Sequence, residues 1–555
     1  MKKFALLLLS VPAAAVAETS VLPIPVSKQV FVDGKFDDRI VPAERLERAD
    51  ETEIPVLPLT SYAPSFDEQI DNAFRLLQRA APKRAAAPVV ASVGKAEETE
   101  IKPVAAHKKF SNETASGAGA SVLSETVAAG EAAETVSDGN ASLAGLEEQI
   151  NRAVVARDWD TLKTLLESYR ALPDFNPVLH DYALGGLRRS QLRHDEAVAL
   201  YRGILAQQPD LAYPRFDLGV MLFENRQYRE AKAELERAKP DLQPPMQQLA
   251  DRYLAAIDKA QGWKPDVSLQ YEQTDNVNNA SSEKTIEFAG RSWTKTADSL
   301  PQKAHGLRYG LGVSREINAG GHHFLYGDIS GGGVHYWDNK DFSEQSLRLS
   351  LGYKNRSVTR SFGIVPFIEQ NLLGGSRYNF VGGFNADFSQ RLGERWRLTL
   401  NAGNMWKRYQ EDRTAARYDS HMPLAGATLM YSAPKDWLLY GGADWSHDMT
   451  KEAEQASVRK GLRVGAVKTF DGGLGLRANL RYTRRTFDAP GTIVYRFPRK
   501  DHEYQANLSL WHDKISWKGF TPQLNFRYLK IDSNMKSFYT RKNMQIFISV
   551  EKDFK

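Results

Sequence analysis

The second half of the chain, from Asp266 to Lys555, alternates apolar and polar residues with a period of two. Segments 347–354 (LRLSLGYK) and 474–484 (LGLRANLRYTR) each place leucine and tyrosine on one side, with arginine mostly on the other. A period of two is that of a β-strand with two unlike faces, and it does not suit a helix. The pattern therefore predicts an all-β half, built either as a sandwich or as a barrel.

Residues 1–17 have the features of a signal peptide, which predicts export from the cytoplasm. Two lysines precede an apolar run at residues 4–9, and the small residues 15–17 (AVA) offer a cleavage site before Glu18. No later segment has the roughly 18 consecutive apolar residues that a membrane-spanning helix requires. In an exported chain, a strand face rich in Arg, Asn and Gly favours a transmembrane barrel with a wet interior over a soluble sandwich.

About fourteen antiparallel strands are expected in residues 264–555, an even number as single-chain bacterial barrels usually have. Short connections fall at 318–321, 391–395, 432–436, 471–473 and 512–516, and most of the intervening connections are longer. Because short turns belong at the periplasmic rim, both ends of the barrel and everything before it should be periplasmic. The strands are expected to begin near Val267, Leu307, Phe324, Leu347, Ser361, Tyr378, Trp396, Met422, Trp437, Val458, Leu474, Tyr504, Leu524 and Met544.

Residues 143–263 instead show helical spacing and repeat themselves with a period of 34 residues. Leu184-Gly185 corresponds to Leu218-Gly219, and Glu196-Ala197 corresponds to Glu230-Ala231. The period and the alternation of small and large residues resemble the tetratricopeptide repeat, a stacked pair of helices. The fold class is thus α plus all-β, with a short α-solenoid before the barrel.

The repeat frame assigns packing roles to particular residues. Gly185 and Gly219 would let paired helices approach closely, while Tyr201 and Leu235 would fill the space beside them. Two repeats are clear in the sequence, and residues 143–172 supply a weaker helical pair that could cap them, as short arrays need.

The first helix of each repeat is expected to face the concave surface of the solenoid, which in such arrays commonly binds a peptide or a folded partner. A second interpretation is that aromatic residues on this face pack against the third hairpin or the following domain. The candidate partner-binding residues are Tyr182, Arg189, Tyr213, Phe216, Val220 and Phe223.

Residues 18–142 are dominated by Ala, Pro, Glu, Val and Ser and mostly lack any periodicity. This composition predicts a mostly disordered periplasmic arm. One island at 65–80 (SFDEQIDNAFRLLQRA) has the spacing of an amphipathic helix behind a possible N-cap, Ser65. Its Glu-Gln-Ile string recurs at 148–150, so the island either mimics the start of the repeats or simply docks on a neighbour.

Catalytic and metal-binding chemistry has no recognisable signature in this chain. Cysteine is absent, which excludes disulfides, thiolate metal sites and a lipidated cysteine. None of the eleven histidines has the H-E-x-x-H spacing, and no G-x-S-x-G elbow or phosphate loop occurs. The net charge of +5 comes from 73 basic and 68 acidic residues spread along the chain, which gives no argument for nucleic acid. No enzyme activity, cofactor or metal is therefore predicted.

Basic side chains on the strand face that would line the water-filled interior are the remaining candidates for a functional site. They could favour acidic cargo through a positive field, or they could pair with carboxylates inside the barrel. The residues concerned are Arg348, Arg397, Arg477, Arg481 and Arg527.

The order of these parts resembles the Slam family, the surface lipoprotein assembly modulators. The resemblance covers about residues 143 to 555, and its most family-like short piece is Asp275-Asn276-Val277-Asn278-Asn279, which follows the first strand. It implies an outer-membrane protein that delivers specific lipoproteins, or related haem- and metal-piracy proteins, from the periplasm to the cell surface. The repeats would select the client or a chaperone that brings it, and the barrel would provide the passage. The barrel-assembly machinery and outer-membrane lipid would be further partners.

Two other functions fit part of this pattern. An exopolysaccharide exporter also joins repeats to a barrel, but it usually carries many more repeats. A barrel enzyme would need a catalytic group of residues at the outer rim, which could assemble without a local signature. A simple porin would not explain the repeats.

Overall fold

The computed structural model describes residues 138–288, 291–490, 496–515 and 520–552. The signal peptide, the helical island at 65–80 and nearly all of the predicted arm lie outside the described residues. The described chain has two parts, a helical module and a closed β-barrel that follows it directly.

The helical module contains three helical hairpins and one final helix. Each hairpin turns through a residue with a left-handed backbone, Arg157, Leu192 or Arg226, at equivalent positions of the repeat. None of the described helices is long and apolar enough to cross a membrane. The helices are α1 (Asp138–Ala156), α2 (Trp159–Arg170), α3 (Pro177–Ser190), α4 (His194–Gln207), α5 (Ala212–Glu224), α6 (Tyr228–Ala238) and α7 (Pro244–Gln261).

Close approach within the hairpins depends on the glycines identified in the sequence. A Cβ at Gly219 would lie 2.7 Å from Cγ of Leu235, and one at Gly185 would overlap the ring of Tyr201. Both large partners are buried. The repeat therefore packs as expected, and α1 with α2 supplies the capping pair that the weaker pattern at 143–172 predicted.

The barrel is closed, and its fourteen strands are antiparallel. Every predicted strand start lies within its own strand, although β14 begins six residues before Tyr504. A small hairpin of β2 (Thr285–Phe288) and β3 (Arg291–Thr294), absent from the prediction, lies in the first long loop. The barrel strands are β1 (Lys264–Thr274), β4 (Ala304–Gly320), β5 (His323–Tyr336), β6 (Glu344–Arg356), β7 (Arg360–Leu373), β8 (Ser376–Leu392), β9 (Trp396–Tyr409), β10 (Ser420–Ala433), β11 (Trp437–Thr450), β12 (Ser457–Thr469), β13 (Leu474–Pro490), β14 (Pro498–His512), β15 (Phe520–Ser533) and β16 (Arg541–Lys552).

The two faces of the strands follow the alternation in the sequence. On β6, Leu347 and Leu351 are about 60% exposed on the outside, whereas Arg348 and Ser350 point inward and are buried. An apolar outer face requires lipid around it, because such a surface in water would aggregate. The barrel is therefore a transmembrane one, with its polar residues inside.

The two ends of the barrel differ in their connections. Short turns at 321–322, 357–359, 393–395, 434–436 and 470–473 lie at one end. Longer connections lie at the other end, together with the tight turn at Gly374 and Gly375, whose positive φ angles suit glycine. Helix α7 ends three residues before β1, so the helical module lies at the end with the short turns.

Candidate functional site

The turn between α5 and α6 enters the mouth of the barrel at the end with the short turns. Asn225 and Gln227 are buried there, and the Asn225 side chain accepts a hydrogen bond from the backbone N–H of Val358 at 3.4 Å. Nε2 of Gln227 lies 3.0 Å from Nε2 of His322 in the β4–β5 turn. The third hairpin is thus wedged between two turns of the barrel.

Arg226, the residue of this turn with a left-handed backbone, lies between Asn225 and Gln227. Burial lowers the pKa of its guanidinium, and the positive charge of Arg356 on β6 acts in the same direction. Its charge also interacts with Glu316 on β4 and with Arg397 on β9. Because β4 and β9 are separated by four other strands in the barrel order, the charge of Arg226 interacts with two separate parts of the barrel wall.

Helix α6 receives its N-cap from the barrel. Its own preceding residue makes no side-chain cap, but Oδ1 of Asn318 accepts the backbone N–H of Arg229 at 3.0 Å. In return, Glu230 accepts the backbone N–H of Gly321 at 2.7 Å. The first turn of a helix carries N–H groups that need such acceptors. The fold of α6 and its docking on the barrel are therefore coupled.

The end of α7 strengthens the same interface. The backbone carbonyl of Gln261 accepts a hydrogen bond from Nε of Arg315 at 2.9 Å, and its side chain accepts the backbone N–H of Asn318 at 2.9 Å. The rings of Tyr228 and Phe324 meet edge to face with centroids 5.8 Å apart. Apolar and polar contacts thus hold the module over β4 and β5.

Four of the six predicted partner-binding residues lie in the core of the module. Tyr213, Phe216, Val220 and Phe223 are each at most 8% exposed. The ring of Tyr253 on α7 packs edge to face on Phe216 at 6.1 Å and on Phe223 at 5.4 Å. The structure therefore matches the packing interpretation for these four, because they are buried and α7 covers Phe216 and Phe223; their binding of a client stays a prediction. They could contact a client only if α7 moved away.

The other two predicted residues, Tyr182 and Arg189, join successive repeats. The hydroxyl of Tyr182 donates to Asp217 at 2.7 Å, and Nε of Arg189 donates to Glu224 at 2.7 Å. Burial raises the pKa of Glu224, but hydrogen bonds from His194 and Arg189 outweigh this and keep the pKa below its ordinary value. Tyr182 and Arg189 remain partly exposed at the edge of the groove.

The Asp275–Asn279 string lies at the opposite end of the barrel, where it shapes the first long loop. The Asn276 side chain bonds both the N–H and the C=O of Ala280, at 2.9 and 2.8 Å. The side chain of Asn278 accepts the backbone N–H of Gln302 at 3.0 Å, and Val277 is fully buried. Asn279 has a left-handed φ of 51°. The string therefore fixes a loop at the end of the barrel away from the repeats.

The five predicted interior arginines all point into the barrel. Arg348 and Arg481 face carboxylates, as the pairing interpretation expects, whereas Arg397, Arg477 and Arg527 contact a hydroxyl, a ring and an amide. Arg348 lies 3.7 Å from Glu369 and over Phe367, Arg397 donates to Ser389, Arg477 lies over Trp511, Arg481 donates to Asp444, and Arg527 donates to Gln545. Among the described residues, no group of three or more histidine or acidic side chains is placed to hold a metal ion.

Two family models match this chain. One, described as surface lipoprotein assembly modifier, matches residues 263–554, which is more than half of the chain. The other, its N-terminal TPR repeats, matches residues 140–235. The chain belongs to the surface lipoprotein assembly modifier family. Its barrel is accordingly an outer-membrane barrel, and its repeats lie in the periplasm.

Curated relatives cover most of the chain. Surface lipoprotein assembly modifier 1 of Haemophilus influenzae is 27% identical over 72% of this chain and 83% of its own length. The same-named protein of Neisseria meningitidis is 27% identical over 74% and 83%. Hemophilin secretion modulator of Acinetobacter baumannii is 24% identical over 74% and 86%.

Solved structures match about half of the chain. A FadL homologue of Pseudomonas aeruginosa has 10% identity and a TM-score of 0.31, covering 53% of this chain and 89% of that chain. The translocator domain of the autotransporter NalP of Neisseria meningitidis has 10% identity and a TM-score of 0.22, covering 55% and 95%.

Proposed function

We propose that this protein delivers specific lipoproteins, or related secreted haem-binding proteins, from the periplasm to the cell surface. The observation that carries this proposal is the docking of the repeat module across the periplasmic mouth of a transmembrane barrel. A client that binds the repeats would already be at the entrance of the passage. The names of the relatives, which include lipoprotein assembly modifiers and a hemophilin secretion modulator, support the same client classes.

The proposed division of work follows from the two parts. The repeats select the client at the partly exposed edge of the groove, near Tyr182 and Arg189, and the barrel provides the route. Delivery needs binding and movement but no covalent chemistry, so we propose no enzymatic activity. A periplasmic chaperone that hands over the client and the barrel-assembly machinery are proposed as further partners.

The test is surface display of a candidate lipoprotein in a Gram-negative host with and without this protein. Display is measured by protease shaving and antibody labelling of intact cells, and a periplasmic marker protein confirms that the outer membrane is closed. We expect the lipoprotein to become protease-sensitive and antibody-accessible only when the protein is present. If every candidate lipoprotein stays in the periplasm, the proposal is rejected. Polysaccharide export or an enzyme at the outer rim of the barrel would then be favoured.

A further inference from the structure

The barrel closes through an unusually short ladder. Strand β1 pairs with β4 along all eleven of its residues, Lys264 to Thr274. With β16 it pairs only at Leu269–Val550 and Gln270–Ser549, although described residues of both strands continue beyond these positions. Strand β16 in turn pairs with β15 along all twelve of its residues. The β1–β16 seam is therefore joined by few paired residues, whereas each of its two strands is fully paired with its other neighbour.

The two faces of the seam have different chemistry. On the outside, Leu269, Tyr271, Ile546 and Ile548 are each about half exposed and present apolar surface to the membrane. On the inside, Gln270 and Ser549 face the interior, and Glu272 is held by Arg308 and Tyr336 at 2.6 and 2.8 Å. A molecule with one polar and one apolar part would find a matching surface on each side.

Loop contacts bridge the extracellular end of the seam. The Asn543 side chain on β16 donates to the Thr274 hydroxyl on β1 at 3.1 Å. Beyond them, Oγ of Ser281 donates to the backbone carbonyl of Lys536 at 3.3 Å, and Nζ of Lys295 donates to that of Ser537.

An apolar contact completes this bridge. Ile286 on β2 packs on a cluster of Met535, Phe538 and Tyr539 in the loop before β16. The loop that follows β1 and the loop that precedes β16 are thus fastened to each other directly above the seam. The closed barrel is held here by side chains where its ladder is short.

We infer that the β1–β16 seam opens to let the acyl chains of a lipid-anchored client pass sideways into the membrane while its polypeptide occupies the polar interior. In lipid, every unpaired backbone group is costly, so a barrel separates where the fewest ladder bonds must break. Acyl chains cannot be carried through a lumen lined with arginine and carboxylate without losing their apolar surroundings. The inference rests on the proposed function and specifies the route for its lipid-bearing clients.

The experiment locks the seam in the full-length protein. Leu269→Cys with Val550→Cys, and separately Gln270→Cys with Ser549→Cys, place cysteines at directly opposed positions, where cross-strand spacing suits a disulfide. The natural chain has no cysteine, so no other disulfide can form within one chain. The matched control, Leu524→Cys with Ile548→Cys, links two lipid-facing positions of the continuous β15–β16 ladder. Cross-linking is detected as a change in the electrophoretic mobility of the protein, compared with and without boiling.

Two forms of one client are compared, the lipidated protein and a version secreted without its lipid anchor. We expect the oxidised seam pairs to abolish display of the lipidated form and a reductant to restore it. The unlipidated form and the β15–β16 control should be displayed as in the wild type. Full display of the lipidated client through a cross-linked seam would overturn the inference, as would equal loss of both forms. If the wild type displays neither form, the proposed function itself fails.

Discussion

In the repeat module, Leu218, Met221 and Leu222 are each at most 2% exposed, whereas in the barrel Leu311, Leu351 and Leu462 are more than 60% exposed. The same kinds of side chain thus serve an internal core in one part and a lipid-facing surface in the other. The module is held together by packing, and the barrel by paired strands with a polar interior. The two parts should therefore respond differently to the same kind of substitution.

The largest expected effect comes from deleting residues 143–263. Within the described part of the chain the barrel strands pair with one another, so the shortened protein should still insert and keep its heat-modifiable mobility. Client display should be lost, because the module at the periplasmic mouth is gone. Retained display in the shaving assay would refute the selecting role of the repeats.

The second-largest effect is expected from removing one aromatic side chain from the core of the module. Phe223→Ala is expected to cost the module about 3 to 5 kcal/mol of unfolding free energy, because it leaves a cavity among buried rings. The matched change Leu311→Ala removes a lipid-facing side chain without opening an internal cavity, so the barrel should lose less stability than the module does. Protease resistance of the repeats and heat-modifiability of the barrel report on the two parts separately. A stable module with Phe223→Ala would contradict the packed groove.

Glycine substitutions sharpen the comparison within the module. Gly219→Ala should destabilise the third hairpin by about 1 to 3 kcal/mol, since the new methyl group meets Leu235. Gly203→Ala on α4 is the control, because no other group lies within 4 Å of its added carbon. That change should stabilise the helix by about 1 kcal/mol. Thermal unfolding of the repeats should therefore shift in opposite directions for the two variants.

The smallest expected effect concerns the contact between the parts. Asn318→Ala removes the acceptor that caps α6 and should cost about 1 kcal/mol of helix stability. Hydrogen exchange should increase at the start of α6 more than in α3. The control Asn339→Ala alters a side chain that bonds Lys303 in a long loop and should leave α6 unchanged. Equal protection of α6 in both variants would show that the barrel does not stabilise this helix.

The strands could be predicted because alternation is a property of neighbouring residues. The late start predicted for β14 has a physical origin: residues 498–503 carry charge on both faces, so the alternation of apolar and polar residues begins only near Tyr504. The helical hairpins were predicted because Gly185 and Gly219 recur at the repeat period. The β2–β3 hairpin was missed because each strand has only four residues.

The candidate site was harder to predict from sequence. Phe216 and Phe223 have the right position for a concave surface, and nothing in their spacing shows that Tyr253, thirty residues later, covers them. Asn318 at the end of β4 and Gly321 in the following turn are ordinary residues for such places, and only the assembled molecule shows that Asn318 caps α6 and that Gly321 donates to Glu230. The uneven pairing of β1 is likewise invisible in a strand whose alternation is regular.

The sequence alone determined the helical repeat, the strand number and the side of the membrane on which the repeats lie, while the signal peptide at residues 1–17 stays a prediction. Each of these follows from local periodicity, composition or connection length, which the chain carries from residue to residue. The tertiary structure decided that α7 fills the groove, that the α5–α6 turn enters the barrel and that β1 meets β16 through a short ladder. These depend on contacts between residues far apart in the chain, whose energies arise only when the parts are packed together.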